Sequence, residues 1–308
     1  MEEELSIRPG FNLEFAFREH LSPVRKILYN PKQKYFLSMD EKCVKAWAPK
    51  HGGEEHIMHY DLQFPDGQIN YVTCMTLSTE LNLLFCACLD DTLKIYNERL
   101  RIQSVLPWSN GSVKDMAYHP IRHEIVTCGS CGLRVWECQM DYEAYRRNIS
   151  GDVFGKPRER NGVVLPWCFG QFQQARLRLQ LYIPNSTNKN TTQWCEKFKM
   201  YPELDIVFAL VECSLYGYSL ATGEMIFRFQ RVSEQPVTSI VYLPVQELLL
   251  TASSDASATV WRISPGMIPQ RFKTFGRLAA PILTIVAIPY SQDLAVLDTL
   301  AGGGGRGG

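Results

Sequence analysis

The chain of 308 residues is long enough for one large domain or two medium ones. Its 32 basic and 32 acidic residues cancel, which argues against a general binder of nucleic acid or anionic membrane, since both need a positive field. With 45% apolar and 21% charged residues it has the make-up of an ordinary globular protein, and collagen, coiled coil and disulfide miniprotein are excluded.

At the N-terminus Met1, Glu2, Glu3 and Glu4 are followed by no apolar h-region, so no secretory signal is expected. Phe11, Leu13, Phe15 and Phe17 then alternate with polar or small residues, the pattern of a strand. From Val24 a pattern begins that recurs along the chain: a β-branched residue, an apolar alternation, and proline seven positions on. It runs Val24 to Pro31, Val113 to Pro120, Val237 to Pro244 and Ile282 to Pro289, with looser copies from Val72 to Thr79 and Cys195 to Pro202. Sixteen or seventeen residues beyond the proline slot stands an aromatic: Trp47, Tyr96, Trp136, Tyr218 and Trp261. Each interval holds two short apolar runs around a polar turn, as in Glu247 to Ser253 and Thr259 to Ile263 flanking Ser254 to Ser257. That is strand, tight turn, strand. A period of ~40–45 residues with four short strands per unit marks a propeller blade.

One step, from 120 to 202, is close to a double period. Residues 138–189 hold either an insertion or a degenerate blade, and insertion is favoured. Gly151 to Gly162 has no strand periodicity, whereas Arg176 to Tyr182 alternates cleanly and serves as a delayed outer strand. Towards the C-terminus Leu278 to Tyr290 is apolar but interrupted by Pro281 and Pro289, too short for a bilayer span and better read as a buried strand. In the last copy the expected aromatic falls on Gly305, within a Gly-rich tail at 301–308, so that unit is incomplete.

The runs Leu93-Lys-Ile-Tyr96, Leu133-Arg-Val-Trp136-Glu137 and Ala258-Thr-Val-Trp261 resemble the WD-repeat family, over residues 22–137 and 190–300. There is a fainter likeness to its long ciliary and testis-associated members. The resemblance implies an all-β, WD-repeat-like β-propeller: blades 1–3 in 22–137, then blade 4, blade 5 and a partial blade 6 in 190–300. Five blades are recognisable, and the ring is not closed within this chain. Residues 1–21 would supply the closing strand, and an uncovered sheet edge prone to association is expected. The resemblance also implies a bonded set of strand-c aromatic, strand-b hydroxyl, a His before strand a and an Asp in the b–c turn. In blade 1 these are Trp47, Ser38, His20 and Asp40. Asp90 and Asp255 keep the turn acid in blades 2 and 5, while Gln68, Ser109, Ser233 and Ser130 replace expected members.

Other chemistry is declined. Gly151 to Lys156 lacks the spacing of a phosphate loop, and Pro157 stands where Ser or Thr is needed. Cys128 and Cys131 form a CxxC near Cys138, and Cys86 and Cys88 a CxC, but no second pair completes a zinc site. His51, His56 and His59 lack ordered ligand spacing, and no catalytic triad or paired carboxylate is identifiable. Arg146, Arg147, Lys156, Arg158, Arg160, Arg176 and Arg178 form a basic stretch, read as a solvated loop. The ten cysteines read as reduced thiols and four Asn sequons as silent, for a chain expected in the cytoplasm.

The function implied is a non-catalytic scaffold without cofactor or metal, whose loops bind proteins or peptides, with a ciliary or axonemal assembly as one setting. No membrane, nucleic-acid or small-molecule partner is expected. A substrate-recruiting subunit of a ubiquitin ligase is the alternative, and an enzyme with a channel active site a remoter one. The family's contact positions map to the d–a loops at Ser22, Pro23, Asn70, Gly111, Gln235 and Pro236. On the b–c turns they map to Glu41, Asp91, Cys131 and Ala256.

Overall fold

Among the described residues five of the recurring units fold as four-stranded sheets. In the computed structural model blade 1 is β1 (Lys26–Asn30), β2 (Tyr35–Met39), β3 (Val44–Ala48) and β4 (Met58–Asp61). Blade 2 is β5 (Val72–Ser78), β6 (Leu83–Cys88), β7 (Thr92–Tyr96) and β8 (Ile102–Pro107). Blade 3 begins with β9 (Val113–His119), β10 (Glu124–Gly129) and β11 (Gly132–Met140). After a small pair, β12 (Glu159–Arg160) and β13 (Val163–Val164), comes β14 (Phe172–Leu181), which lies beyond β11 as the outer strand of the third sheet. Blade 4 is β15 (Lys197–Tyr201), β16 (Ile206–Val211), β17 (Ser214–Ser219) and β18 (Met225–Phe229). Blade 5 is β19 (Val237–Leu243), β20 (Leu248–Ser253), β21 (Ala258–Arg262) and β22 (Gln270–Phe275). We name the strands of each blade a to d.

The structure describes residues 20–48, 58–61, 71–97, 100–108, 111–140, 159–160, 163–164, 172–184, 194–243, 246–263, 269–275, 281–282 and 284–285. The expected closing strand at Phe11 to Phe17 and the tail at 301–308 lie outside them. Of the sixth unit, Ile282 and Ile285 are bound to strand a of blade 5: Thr238 Oγ1 donates to the Ile282 carbonyl at 2.5 Å, and the Ile285 N–H donates to Ser239 Oγ at 3.2 Å. The chain divides into two compact units, 1–118 with 138–175 and 119–137 with 176–308, the division passing through the third sheet.

The recurring proline is explained by the a–b turn. In all five blades that turn has four residues and starts at the proline slot, at 31, 79, 120, 202 and 244. Proline presets the φ of a turn's second position. The last turn residue is left-handed in every blade: Lys34, Asn82, His123, Asp205 and Glu247, with φ between 51° and 56°. The b–c turns differ, with four, three, two, two and four residues.

Strand b of blade 2, Leu-Leu-Phe-Cys-Ala-Cys, is buried at all six positions, as is strand b of blade 3. A strand covered on both faces reads as a continuous apolar run, not an alternation. In unit 1, Leu37, Met39, Val44 and Ala46 of blade 1 pack against Met75, Leu84, Cys86 and Tyr96 of blade 2. In unit 2, Phe208, Leu210 and Leu215 of blade 4 form one cluster with Ile240, Tyr242, Leu249 and Trp261 of blade 5. Phe208 and Phe227 stack with centroids 5.7 Å apart. They close over Gly217, where a Cβ would come within 3.0 Å of both rings. The leading face of blade 1 differs: Ile27 is 64% exposed and Tyr29 49%, while their counterparts in blade 2, Met75 and Leu77, are buried and half-buried.

Candidate interaction surface

The strand-c aromatics occupy like surroundings. The indole N–H of Trp47 donates to Ser38 Oγ at 2.6 Å, that of Trp136 to Thr127 Oγ1 at 3.0 Å, and that of Trp261 to Thr251 Oγ1 at 3.0 Å. A buried indole needs such an acceptor, and a strand-b hydroxyl supplies it. Blade 1 extends the chain of bonds: His20 Nε2 lies 2.6 Å from Ser38 Oγ, and Nδ1 lies 2.9 Å from Asp40 Oδ2. The Asp40 carboxylate accepts the Lys42 and Cys43 N–H groups through Oδ1, each at 2.7 Å. Burial works to raise its pKa, but the Cys43 amide, the His20 ring and the Lys42 amide outweigh it and hold the group at about 2.

Where tyrosine replaces tryptophan the bonding changes. Tyr218 OH reaches the Tyr182 carbonyl at 2.6 Å. Tyr96 is fully buried, and its hydroxyl has no hydrogen-bond partner among the described residues. Nine and ten residues before it, where the tryptophan blades carry a strand-b hydroxyl, stand Ala87 and Cys86. An unpaired buried hydroxyl costs ~1–3 kcal/mol, so Tyr96→Phe stabilises the protein by about 1 kcal/mol. A melting temperature equal to or below that of the parent chain contradicts this assignment.

The b–c turns are held by their acids. Asp90 Oδ1 accepts from the Thr92 hydroxyl and amide at 2.6 and 3.1 Å, and Asp255 Oδ1 accepts the Ser257 amide at 2.8 Å. In blade 3 Ser130 occupies this slot and the turn closes in two residues, with Gly132 at φ 79°. Ser233, in the His slot of blade 5, donates instead to the Gln235 carbonyl at 2.5 Å.

The expected contact positions fall as follows. Glu41, Asp91, Gln235, Pro236 and Pro23 are exposed, and Ser22, Gly111 and Cys131 are half-buried. Glu41 pairs with Arg25. The Cys131 carbonyl accepts from Gln180 Nε2 at 2.9 Å, and the Gln235 carbonyl from Ser253 Oγ at 3.0 Å. Ala256 is only 8% exposed, so its methyl offers little to a partner: the turn places it left-handed at φ 64°, with its N–H bonded to the Ser253 carbonyl at 3.2 Å. Asn70, Gln68 and Ser109 lie outside the described residues, as do the His51, His56 and His59 group and the Gly151 to Lys156 loop. Cys128 and Cys138 are buried on strands b and c.

Two polar clusters escaped the sequence reading. In unit 1, Lys26 Nζ donates to Asp115 Oδ1 at 2.8 Å, to the Met116 carbonyl at 3.0 Å and to Cys74 Sγ at 3.4 Å. Burial works to lower its pKa, yet Cys74 and Asp115 prevail and raise it, so the ammonium stays charged; burial pushes the Cys74 thiol up. Lys26, Cys74 and Asp115 each stand two residues after the β-branched start of strand a, and that shared slot was the available signal. In unit 2, Glu124, only 4% exposed at its side chain, sits between Arg122 and Arg178. Arg178 Nη2 also donates to the Leu220 carbonyl at 2.6 Å, and Arg122 Nη1 to Asp205 at 3.2 Å. Arg178 is therefore part of a buried ion network on strand d, not of a solvated basic loop. Beside it, burial lowers the His119 pKa against the pull of Asp205 and Glu124, and its Nδ1 accepts the Arg122 N–H at 3.2 Å.

Residues 62–97 match the family model for the WD domain, G-beta repeat, a span that includes strands a to c of blade 2. No curated protein matches the chain. Among the described residues no helix is long and apolar enough to cross a membrane. Five four-stranded sheets, like surroundings for three strand-c tryptophans and this matched repeat are together consistent with the WD-repeat family.

Proposed function

We propose that the chain is a non-catalytic platform that binds basic segments of partner proteins through the ends of its blades carrying the b–c turns. WD repeats serve to bind other proteins or peptides, and a rigid scaffold carrying variable loops suits that task. The observation that carries the reading is the bracing of three b–c turns by Asp40, Asp90 and Asp255, which fixes the backbone while neighbouring side chains stay exposed. Exposed acids stand at this end in each unit, Glu41, Asp90 and Asp91 in unit 1 and Glu212 and Glu234 in unit 2, with the exposed cations Arg25 and Lys42 beside Glu41. An acidic surface attracts lysine- and arginine-rich segments and speeds their encounter. The setting we propose is cytosolic, in a ciliary or axonemal assembly, on the likeness noted from the sequence.

The test is binding of the full chain to a panel of unstructured peptides of matched length and graded charge. Basic peptides bind, and the triple variant Glu41→Gln, Asp91→Asn, Glu234→Gln weakens them about tenfold at low salt. Glu80→Gln, at an a–b turn, leaves binding unchanged. Equal affinity of the triple variant and the parent chain overturns the proposal.

A further inference from the structure

We infer that the b–c turn of blade 1 is a binding site for a divalent transition metal of the zinc type, held by His20, Asp40 and Cys43. Among the described residues these form a group whose donor atoms all lie within 4.8 Å of one another. His20 Nδ1 is 2.9 Å from Asp40 Oδ2 and 3.7 Å from Cys43 Sγ. Metal bonds of about 2.0–2.3 Å meeting at a tetrahedral angle separate N from O by about 3.4 Å and N from S by about 3.6 Å. The thiol already stands at the required separation. The carboxylate must withdraw by about half an ångström for bonds of that length.

The surroundings are arranged as a metal site needs. Asp40 Oδ1 is occupied by the amides of Lys42 and Cys43, which leaves Oδ2 as the oxygen aimed at the imidazole. His20 Nε2 faces Ser38 Oγ, so the ring is oriented from behind with Nδ1 towards the turn. Outer partners of this sort fix the tautomer of a ligating histidine. In the metal-bound form the imidazole proton sits on Nε2 and is donated to Ser38, the Nδ1 lone pair faces the ion, and the Cys43 thiol gives up its proton, so one proton is released for each ion bound to the neutral ring. Imidazole, carboxylate and thiolate together favour zinc and its neighbours over calcium or magnesium. Three protein ligands leave a fourth position for water or for a side chain of a bound protein.

The site is particular to blade 1. The residue four before the strand-c aromatic is Cys43 there, but Thr92, Gly132, Ser214 and Ser257 in the other blades. It also stands apart from the interaction reading above, since an ion bound here needs no peptide, and loss of peptide binding leaves it intact.

The test is titration of the reduced full chain with cobalt(II), followed by displacement with zinc. One equivalent gives the sulfur-to-cobalt charge-transfer band in the near ultraviolet and the strong visible bands of a four-coordinate ion. Cys43→Ser keeps the far-ultraviolet circular dichroism and the metal-free melting temperature, because a serine hydroxyl can make the contacts to Asp40 and His20 that the thiol makes. It loses the charge-transfer band and binds at least about tenfold more weakly. Cys131→Ser, the control, behaves as the parent chain. Should Cys43→Ser fold poorly, Cys43→Ala takes its place. Absence of a one-equivalent signal in the parent chain, or a band of full intensity in the Cys43 variants, overturns the inference.

Discussion

Trp136→Ala lowers the stability of the protein by ~3–5 kcal/mol, the range for emptying the space of a large buried aromatic. Trp136 is 6% exposed, on strand c of blade 3, opposite Ile125 of strand b. Truncation removes the indole from a core that cannot close around the gap, and takes the donor from Thr127 Oγ1. Trp136→Phe separates the two effects: most of the ring is kept, and the loss falls to about 1 kcal/mol, the worth of the hydrogen bond. Denaturant unfolding of both variants checks the ordering. A midpoint for Trp136→Ala equal to that of the parent chain shows that the aromatic does not hold the blade.

Arg178→Met costs about 3 kcal/mol by a different route. Arg178 meets Glu124 through Nη2 at 2.8 Å and Nε at 2.5 Å, and binds the Leu220 carbonyl in the c–d turn of blade 4. Without it, a carboxylate 4% exposed retains Arg122, itself shared with Asp205. A buried charge that loses a partner is penalised far more than an exposed one. The double variant Glu124→Gln, Arg178→Met recovers part of the loss, since the uncompensated charge is then gone, and the coupling from the double-mutant cycle reaches about 2 kcal/mol. Single variants that each change stability by less than ~0.5 kcal/mol rank the cluster with ordinary surface ion pairs.

The sequence disclosed what is local or periodic. The aromatics at 47, 96, 136, 218 and 261 carry the blade pattern because each holds the same slot on strand c, and the three tryptophans are bonded within their own sheet, nine or ten residues from the hydroxyl. His20, Ser38 and Asp40 were legible for the same reason. Contacts between blades were not, because they join distant residues: Lys26 to Asp115, and Arg178 to Glu124. Arg178 misled because a charge in an alternating strand looks solvent-facing until the neighbouring turn is in place. Cys43 was unremarkable until the b–c turn carried it to the imidazole. Ala256 was chosen by position in the turn, and position does not reveal which way a left-handed residue presents its side chain.

The two ends of each blade are built to different rules. The five a–b connections share a single length and end in the same left-handed backbone, whereas the b–c connections vary from two to four residues. Rewriting a b–c connection leaves the four-residue a–b turns untouched, whereas a one-residue change in an a–b turn shifts register and turns a whole face inside out. The molecule thus separates the part that must stay fixed for the sheets to form from the part that is free to acquire new recognition.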